Sequence, residues 1–268
     1  MAHNINYNSQ TGKYSYFSVK EKAWHGLGQI VEQYPTSAET ISHGGLDYDV
    51  VKSPLFTKGS DIIQTAESIE MGSSELEVPD YFANIRTDNN AVLGVVGKDY
   101  QIVQNREAFS FFDAIVGGGD GILYETAGVL GQGERIFITA KLPDYIRVGK
   151  GDDVTEKYIF LTTSHDGSGS ITAAFTPIRI VCQNTLNASL RSMGNVVRIR
   201  HTSGAKQGLD DAHKVMGLAD KLSIQLEGIF NEWAKVKVTD SEVKKLIQLA
   251  LCPNKETLEL IKKGAEAE

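Results

Sequence analysis

The segment 157-KYIFLTTSHDGSGSITAAFT-176 decides the fold, because it contains two strand-forming runs on either side of a short turn. Lys157–His165 and Ser170–Thr176 are rich in β-branched and aromatic residues, which favour strands. Between them, Asp166–Gly169 supplies the aspartate and the glycines that tight turns require. The segment therefore predicts a β-hairpin.

A helix is predicted directly after the hairpin, from Pro177 to Met193. Thr176 can cap this helix, and Pro177 suits its first position because proline has no N–H to leave unpaired there. The helical spacing places two sets of side chains on different faces. The packing face carries Ile178, Val181, Cys182, Thr185, Leu186, Ser189 and Met193, and the polar face carries Arg179, Gln183, Asn187 and Arg191.

The charge of this region differs from that of the whole chain. The 268 residues carry 27 Lys and Arg against 34 Asp and Glu, a formal net charge of -7, yet Gly167 to Leu209 contains no Asp or Glu. A positive region on an otherwise acidic protein favours binding of an anionic partner. The predicted phosphate contacts are Arg179, Arg191, Arg198, Arg200 and Lys206, with Asn184 and Asn187 as hydrogen-bonding neighbours. The open alternative is that these arginines pair with carboxylates elsewhere in the chain.

The composition is that of an ordinary globular protein, with 41% hydrophobic and 23% charged residues. No apolar run reaches the roughly 18 residues that span a membrane, and Met1–Asn6 lacks the basic start and apolar core of a secretion signal. We therefore expect a cytoplasmic protein with no membrane partner. The spacing of Cys182 and Cys252 predicts neither a disulfide nor a zinc site.

Other segments extend the pattern of hairpins and helices. Two further pairs of strand-like runs bracket turns, namely Asp80–Arg86 with Ala91–Val96 and Ile122–Leu130 with Arg135–Leu142. The periodicity of Asn105–Val116 predicts a helix across a sheet. The polar segment Gly72–Glu77 is expected to be a flexible insertion, and Trp24–Gly28 is expected to be a tight turn that tucks the Trp24 ring into the domain, with His25 in a structural role.

The C-terminal part is predicted to be helical. Apolar residues recur at helical spacing from Ala205 to Lys235, and Thr239–Glu242 has the capping-box pattern of another helix that ends near Leu251. We predict an α+β fold, an antiparallel sheet of sequential hairpins crossed by helices, in a core domain at 1–204 with an N-terminal arm, followed by a helical region at 205–268. The long helix either covers the sheet or forms a subunit contact, and we expect a homo-oligomer.

Motifs for catalysis or cofactors are weak. Ser164, His165 and Asp166 are residue types used in acyl transfer, but neighbours on a strand point to opposite faces. The glycine cluster Gly117–Gly121 follows a helix, which suits a helix end better than a phosphate loop. The acidic pair Asp152–Asp153 lacks the additional oxygen ligands of a cation site. We therefore predict binding rather than catalysis, and neither a cofactor nor a metal.

Six motifs occur in order along the chain: 24-WHGLG-28, 93-LGVVGKDY-100, 103-VQNREAF-109, 124-YETAG-128, 164-SHDGS-168 and 176-TPIRIVCQNTL-186. In this combination the chain resembles the phage/plasmid-like protein family that carries domain of unknown function 932. The resemblance implies a phage or plasmid setting in a bacterial host, where proteins for recombination, replication and counter-defence are common. It implies no catalytic or binding residue.

Two functions are consistent with these features. The first is a single-stranded nucleic-acid-binding protein, with an annealing recombinase as its specific form, in which the sheet and the basic helix border a groove for phosphates and stacked bases. The alternative is a phage-encoded interaction protein that inhibits or remodels a host defence factor through its helices and acidic surface. The basic segment favours the first, and the net charge of the chain favours the second.

Overall fold

The computed structural model of the chain describes residues 3–64, 69–116, 123–149, 154–191, 196–205, 227–251 and 259. Its strands are, in chain order, β1 (Tyr7–Asn8), β2 (Lys13–Tyr14), β3 (Tyr16–Val19), β4 (Gln29–Val31), β5 (Val50–Gln64), β6 (Ile69–Arg86), β7 (Val92–Gly97), β8 (Leu123–Leu130), β9 (Arg135–Arg147), β10 (Val154–Ser164), β11 (Ile171–Thr176) and β12 (Val197–Ile199). Its helices are α1 (Ser37–Gly44), α2 (Asn105–Val116), α3 (Gln183–Arg191) and a C-terminal helix, Asp240–Leu251. Residues 227–233 are also helical.

The main sheet is built from consecutive hairpins. β8 to β12 form an antiparallel meander in which each strand pairs with the next. β3 pairs antiparallel with the free side of β8, and β4 lies parallel to β3 at the edge. A second antiparallel sheet has the order β5-β6-β7, and β1 and β2 form a two-stranded antiparallel sheet. The predicted α+β fold is confirmed.

The hairpin predicted from residues 157–176 is confirmed with its turn. Thr162 lies opposite Thr172 in the ladder between β10 and β11. In the turn, Asp166 Oδ1 accepts the Ser168 backbone N–H at 2.8 Å, and Gly167 has a φ of 78°, which glycine adopts without strain. The pairings of β6 with β7 and of β8 with β9 confirm the other two predicted hairpins.

The expectation of a flexible insertion at Gly72–Glu77 is wrong, since this segment belongs to β6. Gly72 pairs with Asp61 and Glu75 with Lys58 in a ladder that continues the length of β5. A strand needs an apolar face only where it packs on a core. Glu75, Leu76 and Glu77 are all exposed. The polar composition of Gly72–Glu77 therefore reflects the exposure of this part of β6 to solvent, not the absence of a strand.

The main sheet is buried on both faces by two separate cores. Alternation along β10 directs Ile159 and Leu161 toward the core that contains Phe112 of α2. Phe160 points to the other face, into the core that contains Leu186 of α3. β10 and β11 are therefore nearly continuous apolar runs, and the segment around α3 covers one face of the sheet.

The helix predicted to begin at Pro177 begins six residues later, at Gln183. Ile180, Val181 and Cys182 are all buried, and three consecutive residues cannot all lie on the buried stripe of one helix that covers a sheet. Thr185 Oγ1 accepts the backbone N–H groups of Val181 and Cys182 at 2.9 and 3.0 Å. The nonhelical backbone before α3 is thus satisfied by a side chain of the helix itself.

The C-terminal helical residues contact the end of β9. Asn231 donates to the Arg147 carbonyl at 3.0 Å and accepts the Gly149 N–H at 2.7 Å. The predicted capping box is confirmed, because Glu242 accepts the Thr239 N–H and Thr239 accepts the Glu242 N–H. The described part of the chain contains no helix that is long and apolar enough to cross a membrane. Outside the described residues lie Gly117–Gly121, Asp152–Asp153, Lys206 and most of the helix predicted at Ala205–Lys235.

Candidate functional site

The two faces of β12 carry different chemistry. Val197 and Ile199 pack on the core shared with α2, so alternation directs Arg198 to the opposite face of the sheet, where α3 lies. Arg200 follows two residues later and is exposed. His201 is buried, and its Nε2 lies 3.2 Å from Thr163 Oγ1.

A polar pocket lies beside the C-terminal end of α3, on the same face as Arg198. Its volume is about 320 Å³. Two arginines, Arg135 of β9 and Arg198 of β12, line it together with hydroxyl-bearing residues, and its lining includes no carboxylate. The lining residues are Arg135, Thr162, Thr163, Ser164, Ser168, Gly169, Ser170, Thr172, Leu190 and Arg198. We call this set the arginine pocket.

Ser164 lies beneath the wall of the arginine pocket. The residue is only 1% exposed, and its Oγ makes no hydrogen bond of ordinary geometry among the described residues. Its side chain is nevertheless close enough to Asp166 to help lower the pKa of that carboxyl. A Cβ built on Gly169 would lie 2.8 Å from Ser164 Oγ and 3.7 Å from Arg135 Nη2. The first distance is shorter than real Cβ contacts, so the turn at Gly169 packs closely over the Ser164 hydroxyl.

The arginines of the pocket differ in their surroundings. Arg135 Nη2 donates to Ser168 Oγ at 3.3 Å, and Ser168 donates in turn to Asp166 Oδ1 at 2.7 Å. Burial raises the pKa of Asp166, but the bonds from Ser168 outweigh it and the net pKa is lowered, so Asp166 stays ionised near Arg135. Arg198 forms no ion pair with a described carboxylate. Arg198 therefore carries the uncompensated charge of the pocket.

Arg179, a predicted phosphate contact, lies apart from the arginine pocket and is already engaged. Its Nη2 is 2.6 Å from Glu125 Oε1, and the two side chains are 19% and 7% exposed. The same nitrogen donates to Ser18 Oγ and to the Val19 carbonyl at 3.2 and 3.1 Å. Burial lowers the pKa of Arg179, but the Glu125 carboxylate raises it further, and the guanidinium remains charged. This arginine ties the segment before α3 to β3 and β8.

The remaining predicted residues lie on α3 and just after β12. Asn184 and Arg191 are exposed, and both fall on one stripe of the helix because they are seven residues apart. Asn187 is half-buried and accepts a hydrogen bond from Gln183 Nε2 at 2.9 Å. Leu190, the neighbour of Arg191, lines the arginine pocket. The structure thus groups Arg191, Arg198 and Arg200 near one end of α3, whereas Asn184 lies toward the other end.

The sequence patterns did not identify Arg135, or the hydroxyl-bearing residues Thr162 and Ser164, as part of this site. Arg135 lies outside the acid-free interval and is brought in by its pairing with Ser164 across β9 and β10. A period-two run, Phe160, Thr162 and Ser164, marks one face of β10 as apolar and then hydroxyl-lined. This change from an apolar side chain to hydroxyl-bearing side chains along a buried strand is the sequence signal that could have identified the pocket.

The residues Ser164 and His165 point to different surroundings, as strand alternation requires. His165 is fully buried, and its Nε2 lies 2.9 Å from Asn105 Oδ1. Asn105 Nδ2 donates to the Leu46 carbonyl at 3.0 Å, so Oδ1 accepts and the His165 proton resides on Nε2. Burial lowers the pKa of His165 to about 4. The ring joins α2 to the sheet.

The expectation that Trp24 is tucked into the domain is wrong. Its side chain is 68% exposed, and the turn is anchored instead by its neighbours. Ala23 is buried, and His25 Nε2 lies 3.0 Å from the Val181 carbonyl. The structural role predicted for His25 matches this contact, since its Nδ1 also accepts the Leu27 N–H at 3.1 Å.

Within the described ranges, no group of three or more His, Cys, Asp or Glu could hold a metal ion. The arginine pocket is instead an arrangement of cationic and hydroxyl donors, which suits an anion such as a phosphate group.

Comparison with known proteins identifies a family without identifying an activity. The family model of a domain of unknown function, DUF932, matches residues 92–268. This range contains β7 to β12, α2, α3 and the whole arginine pocket, whereas Trp24, β5 and β6 lie before it. No curated protein and no solved structure matches the chain. The chain belongs to the DUF932 family.

Proposed function

We propose that this protein binds single-stranded nucleic acid and holds a backbone phosphate in the arginine pocket. The observation that carries the proposal is a polar pocket that Arg135 and Arg198 line without a carboxylate, and in which Arg198 has no ion pair with a described carboxylate. A phosphate oxygen would accept from the guanidinium groups and from hydroxyls of the lining, and the guanidinium groups would balance its charge.

The dimensions of the site suit one phosphate group, since the recess is about 320 Å³. A flexible single strand can turn one phosphate inward while its bases face outward, and its sequence-independent affinity comes from such backbone contacts. Arg191 and Arg200, both exposed near the pocket, would receive the adjacent phosphates.

The decisive experiment is binding of a fluorescent oligothymidine at increasing salt. For single strands, the logarithm of the affinity falls by about 0.7 per phosphate contact for each tenfold rise in salt. We expect Arg198→Ala to lower the affinity and to reduce this slope by about 0.7, and Arg135→Ala/Arg198→Ala to reduce it further. Arg106→Ala is the matched control, because Arg106 is an exposed arginine that is paired with Asp47 and does not line the pocket.

Two results would exclude nucleic-acid binding through the pocket, and a third would exclude a specific role for Arg198. One is the absence of oligothymidine binding at low salt. The other is an unchanged affinity and salt slope in the Arg135→Ala/Arg198→Ala variant, provided that its circular dichroism spectrum matches that of the wild type. Equal effects of Arg106→Ala and Arg198→Ala would likewise show that only net charge matters.

Strand annealing is the specific form of this activity that we propose. A protein that grips phosphates in a recess leaves Watson–Crick edges free to pair with a complementary strand. The rate at which two complementary oligonucleotides hybridise should therefore rise in the presence of the wild-type protein and not in the presence of Arg135→Ala/Arg198→Ala. A wild-type protein that binds each strand but slows hybridisation would limit the function to strand protection.

A separate observation favours the alternative, an interaction protein. The second sheet buries one face, which includes Asn84 and Arg86, against the rest of the fold. Its other face presents apolar side chains to solvent, with exposures of 47% for Val51, 53% for Tyr81 and 49% for Val95. Such a face is typical of a protein contact. Recovery of one stoichiometric host protein after nuclease treatment, lost in Tyr81→Ser/Val95→Ser, would support this function.

A further inference from the structure

The turn at Ala23–Gly26 holds an exposed tryptophan in a fixed position. The Gly26 N–H donates to the Ala23 carbonyl at 2.9 Å, which closes the turn. Ala23 is buried, and both ring nitrogens of His25 are engaged by backbone groups. Trp24 nevertheless leaves 68% of its surface in solvent. An indole held on an anchored turn loses little conformational entropy when a flat partner binds to it.

Aromatic neighbours support the Trp24 ring from one side. The ring of His3 lies 4.5 Å from that of Trp24, at an interplanar angle of 71°. His25 lies 5.1 Å from His3 and 5.5 Å from Trp24, measured between ring centroids. Edge-to-face contacts of this kind fix the orientation of an aromatic ring. We call His3, Trp24 and His25 the aromatic platform.

The aromatic platform lies at the end of α3 opposite to the arginine pocket. The Gln183 N–H donates to the His3 carbonyl at 3.1 Å, and the His25 contact with Val181 is directly before the helix. From Gln183 to Leu190, which lines the pocket, the helix rises by about 10 Å. The exposed Asn184 lies near the platform end of α3, and the exposed Arg191 lies at the pocket end.

A cation accompanies the platform. A Cβ built on Gly26 would lie 3.5 Å from Lys22 Cε and 3.6 Å from Lys22 Nζ, so this ammonium group lies against the turn. Stacking of bases on aromatic rings next to Lys or Arg is how proteins bind single strands without sequence preference. The two components of single-strand binding, an aromatic ring beside a cation and a cationic pocket, thus lie at the two ends of α3.

We infer that Trp24 stacks on a nucleobase of the same strand whose phosphate occupies the arginine pocket. This inference rests on the proposed function. The stacked base lies near the N-terminal end of α3, Lys22 neutralises the flanking phosphate, and the strand follows the exposed side of α3 to Arg198. Protein partners are a competing use of an exposed tryptophan, and the test separates them.

Tryptophan fluorescence tests the inference directly, because the chain has two tryptophans, Trp24 and Trp233. The variant Trp233→Phe leaves Trp24 as the single reporter, and Trp233 is an exposed side chain in the helical residues 227–233. The probes are an oligothymidine of about 16 nucleotides, the upper end of the usual site size, and an abasic deoxyribose-phosphate oligomer of equal length. We expect oligothymidine to quench Trp24, and the abasic oligomer to bind without quenching.

Substitutions of Trp24 supply the second readout. Trp24→Ala should weaken oligothymidine binding by roughly 5- to 100-fold, whereas Trp24→Phe should retain most of the affinity. The salt slope should be unchanged in both, because no phosphate contact is removed. This separates the platform from the arginines, whose substitution changes the slope.

The two proposals fail in different ways. Oligothymidine that binds by anisotropy without quenching Trp24, or that binds equally well to Trp24→Ala, overturns the stacking inference and leaves the phosphate pocket in place. Absence of binding by any single-stranded probe overturns both. Circular dichroism of Trp24→Ala serves as the folding control, and normal folding is expected because the ring is exposed.

Discussion

The guanidinium of Arg179 and the carboxylate of Glu125 lie 2.6 Å apart in a largely buried ion pair, although Arg179 belongs to the acid-free interval of the sequence. Glu125 is on β8 and Arg179 precedes α3, so the pair joins elements that are 54 positions apart in sequence (179 − 125). The positive interval is therefore partly neutralised by a residue far outside it. Arg179 and Arg198 carry the same guanidinium group in different surroundings. Substitution of Arg179 should therefore lower stability, whereas substitution of Arg198 should weaken binding.

Arg179→Ala is expected to destabilise the fold and to leave the salt dependence of nucleic-acid binding unchanged. Removing one partner of a buried pair leaves an uncompensated charge, which costs about 3 kcal/mol of unfolding free energy. Urea unfolding measures this loss. In a double-mutant cycle, Arg179→Ala/Glu125→Ala should be less destabilised than the sum of the single variants. A stable Arg179→Ala protein with a reduced salt slope would instead identify Arg179 as a phosphate contact.

Gly169→Ala is expected to weaken nucleic-acid binding without removing any charge. The added Cβ would lie 2.8 Å from Ser164 Oγ, closer than real Cβ contacts, so the turn that forms this wall of the arginine pocket must shift. Gly169 does not have a positive φ, so its backbone conformation suits alanine. Loss of a hydrogen bond to a charged ligand corresponds to an affinity decrease on the order of tenfold. Fluorescence anisotropy measures the affinity, and the salt slope should stay at its wild-type value.

Gly97→Ala is the matched control for Gly169→Ala. A Cβ at Gly97 meets no atom within 4 Å, and this glycine lies at the end of β7, outside the arginine pocket. Binding should be unaltered in Gly97→Ala. If Gly169→Ala binds as tightly as Gly97→Ala, the turn at Gly169 does not contact the bound phosphate.

Local patterns predicted the hairpins well because the turn and its flanking strands are specified by adjacent residues. The turn of Asp166–Gly169 carries its own hydrogen bond and its own glycine with positive φ. The start of α3 was predicted too early because it depends on contacts with residues that are distant in sequence. Pro177 favours a helix locally, yet burial of Ile180, Val181 and Cys182 in the second core requires extended backbone there.

The candidate site shows the same limit. Arg198 was predicted from local charge, but its partner Arg135 is 63 positions away in sequence (198 − 135) and reaches the pocket only through the register of β9 and β10. The burial of Trp24 was expected from its hydrophobicity, and the structure buries Ala23 and half-buries His25 instead. Sequence patterns identify which residues carry chemistry, while strand register decides which of them meet.

Acidification should destabilise the protein through His165. Burial lowers the pKa of this ring from 6.5 to about 4, with a smaller contribution from His201, while Asp166 acts in the opposite direction. The unfolded chain thus binds a proton that the folded chain excludes, so the contribution of His165 is complete above pH 6.5 and is lost as the pH falls toward 4. The loss is on the order of 3 kcal/mol.

The control for this pH effect is His165→Gln, which can still donate to Asn105 but cannot be protonated. Its unfolding free energy should be lower than that of the wild type at neutral pH and should fall less between pH 6.5 and about 4. Equal slopes of unfolding free energy against pH in the two proteins would show that carboxylates, rather than His165, determine the acid sensitivity.

Thr185→Val is expected to disturb the start of α3 more than its small change in shape suggests. Thr185 Oγ1 accepts the N–H groups of Val181 and Cys182, and it donates to the Cys182 carbonyl at 3.0 Å. Valine leaves these N–H groups unpaired, and Val181 and Cys182 are 4% and 0% exposed, so water cannot replace the hydroxyl. Each unpaired buried group costs about 1–3 kcal/mol.

Urea unfolding of Thr185→Val should show a loss of at least about 2 kcal/mol, whereas Thr185→Ser, which keeps the hydroxyl, should lose far less. Because α3 separates the aromatic platform from the arginine pocket, Thr185→Val should also weaken oligothymidine binding under native conditions. Wild-type stability in Thr185→Val would mean that the backbone before α3 is satisfied in another way.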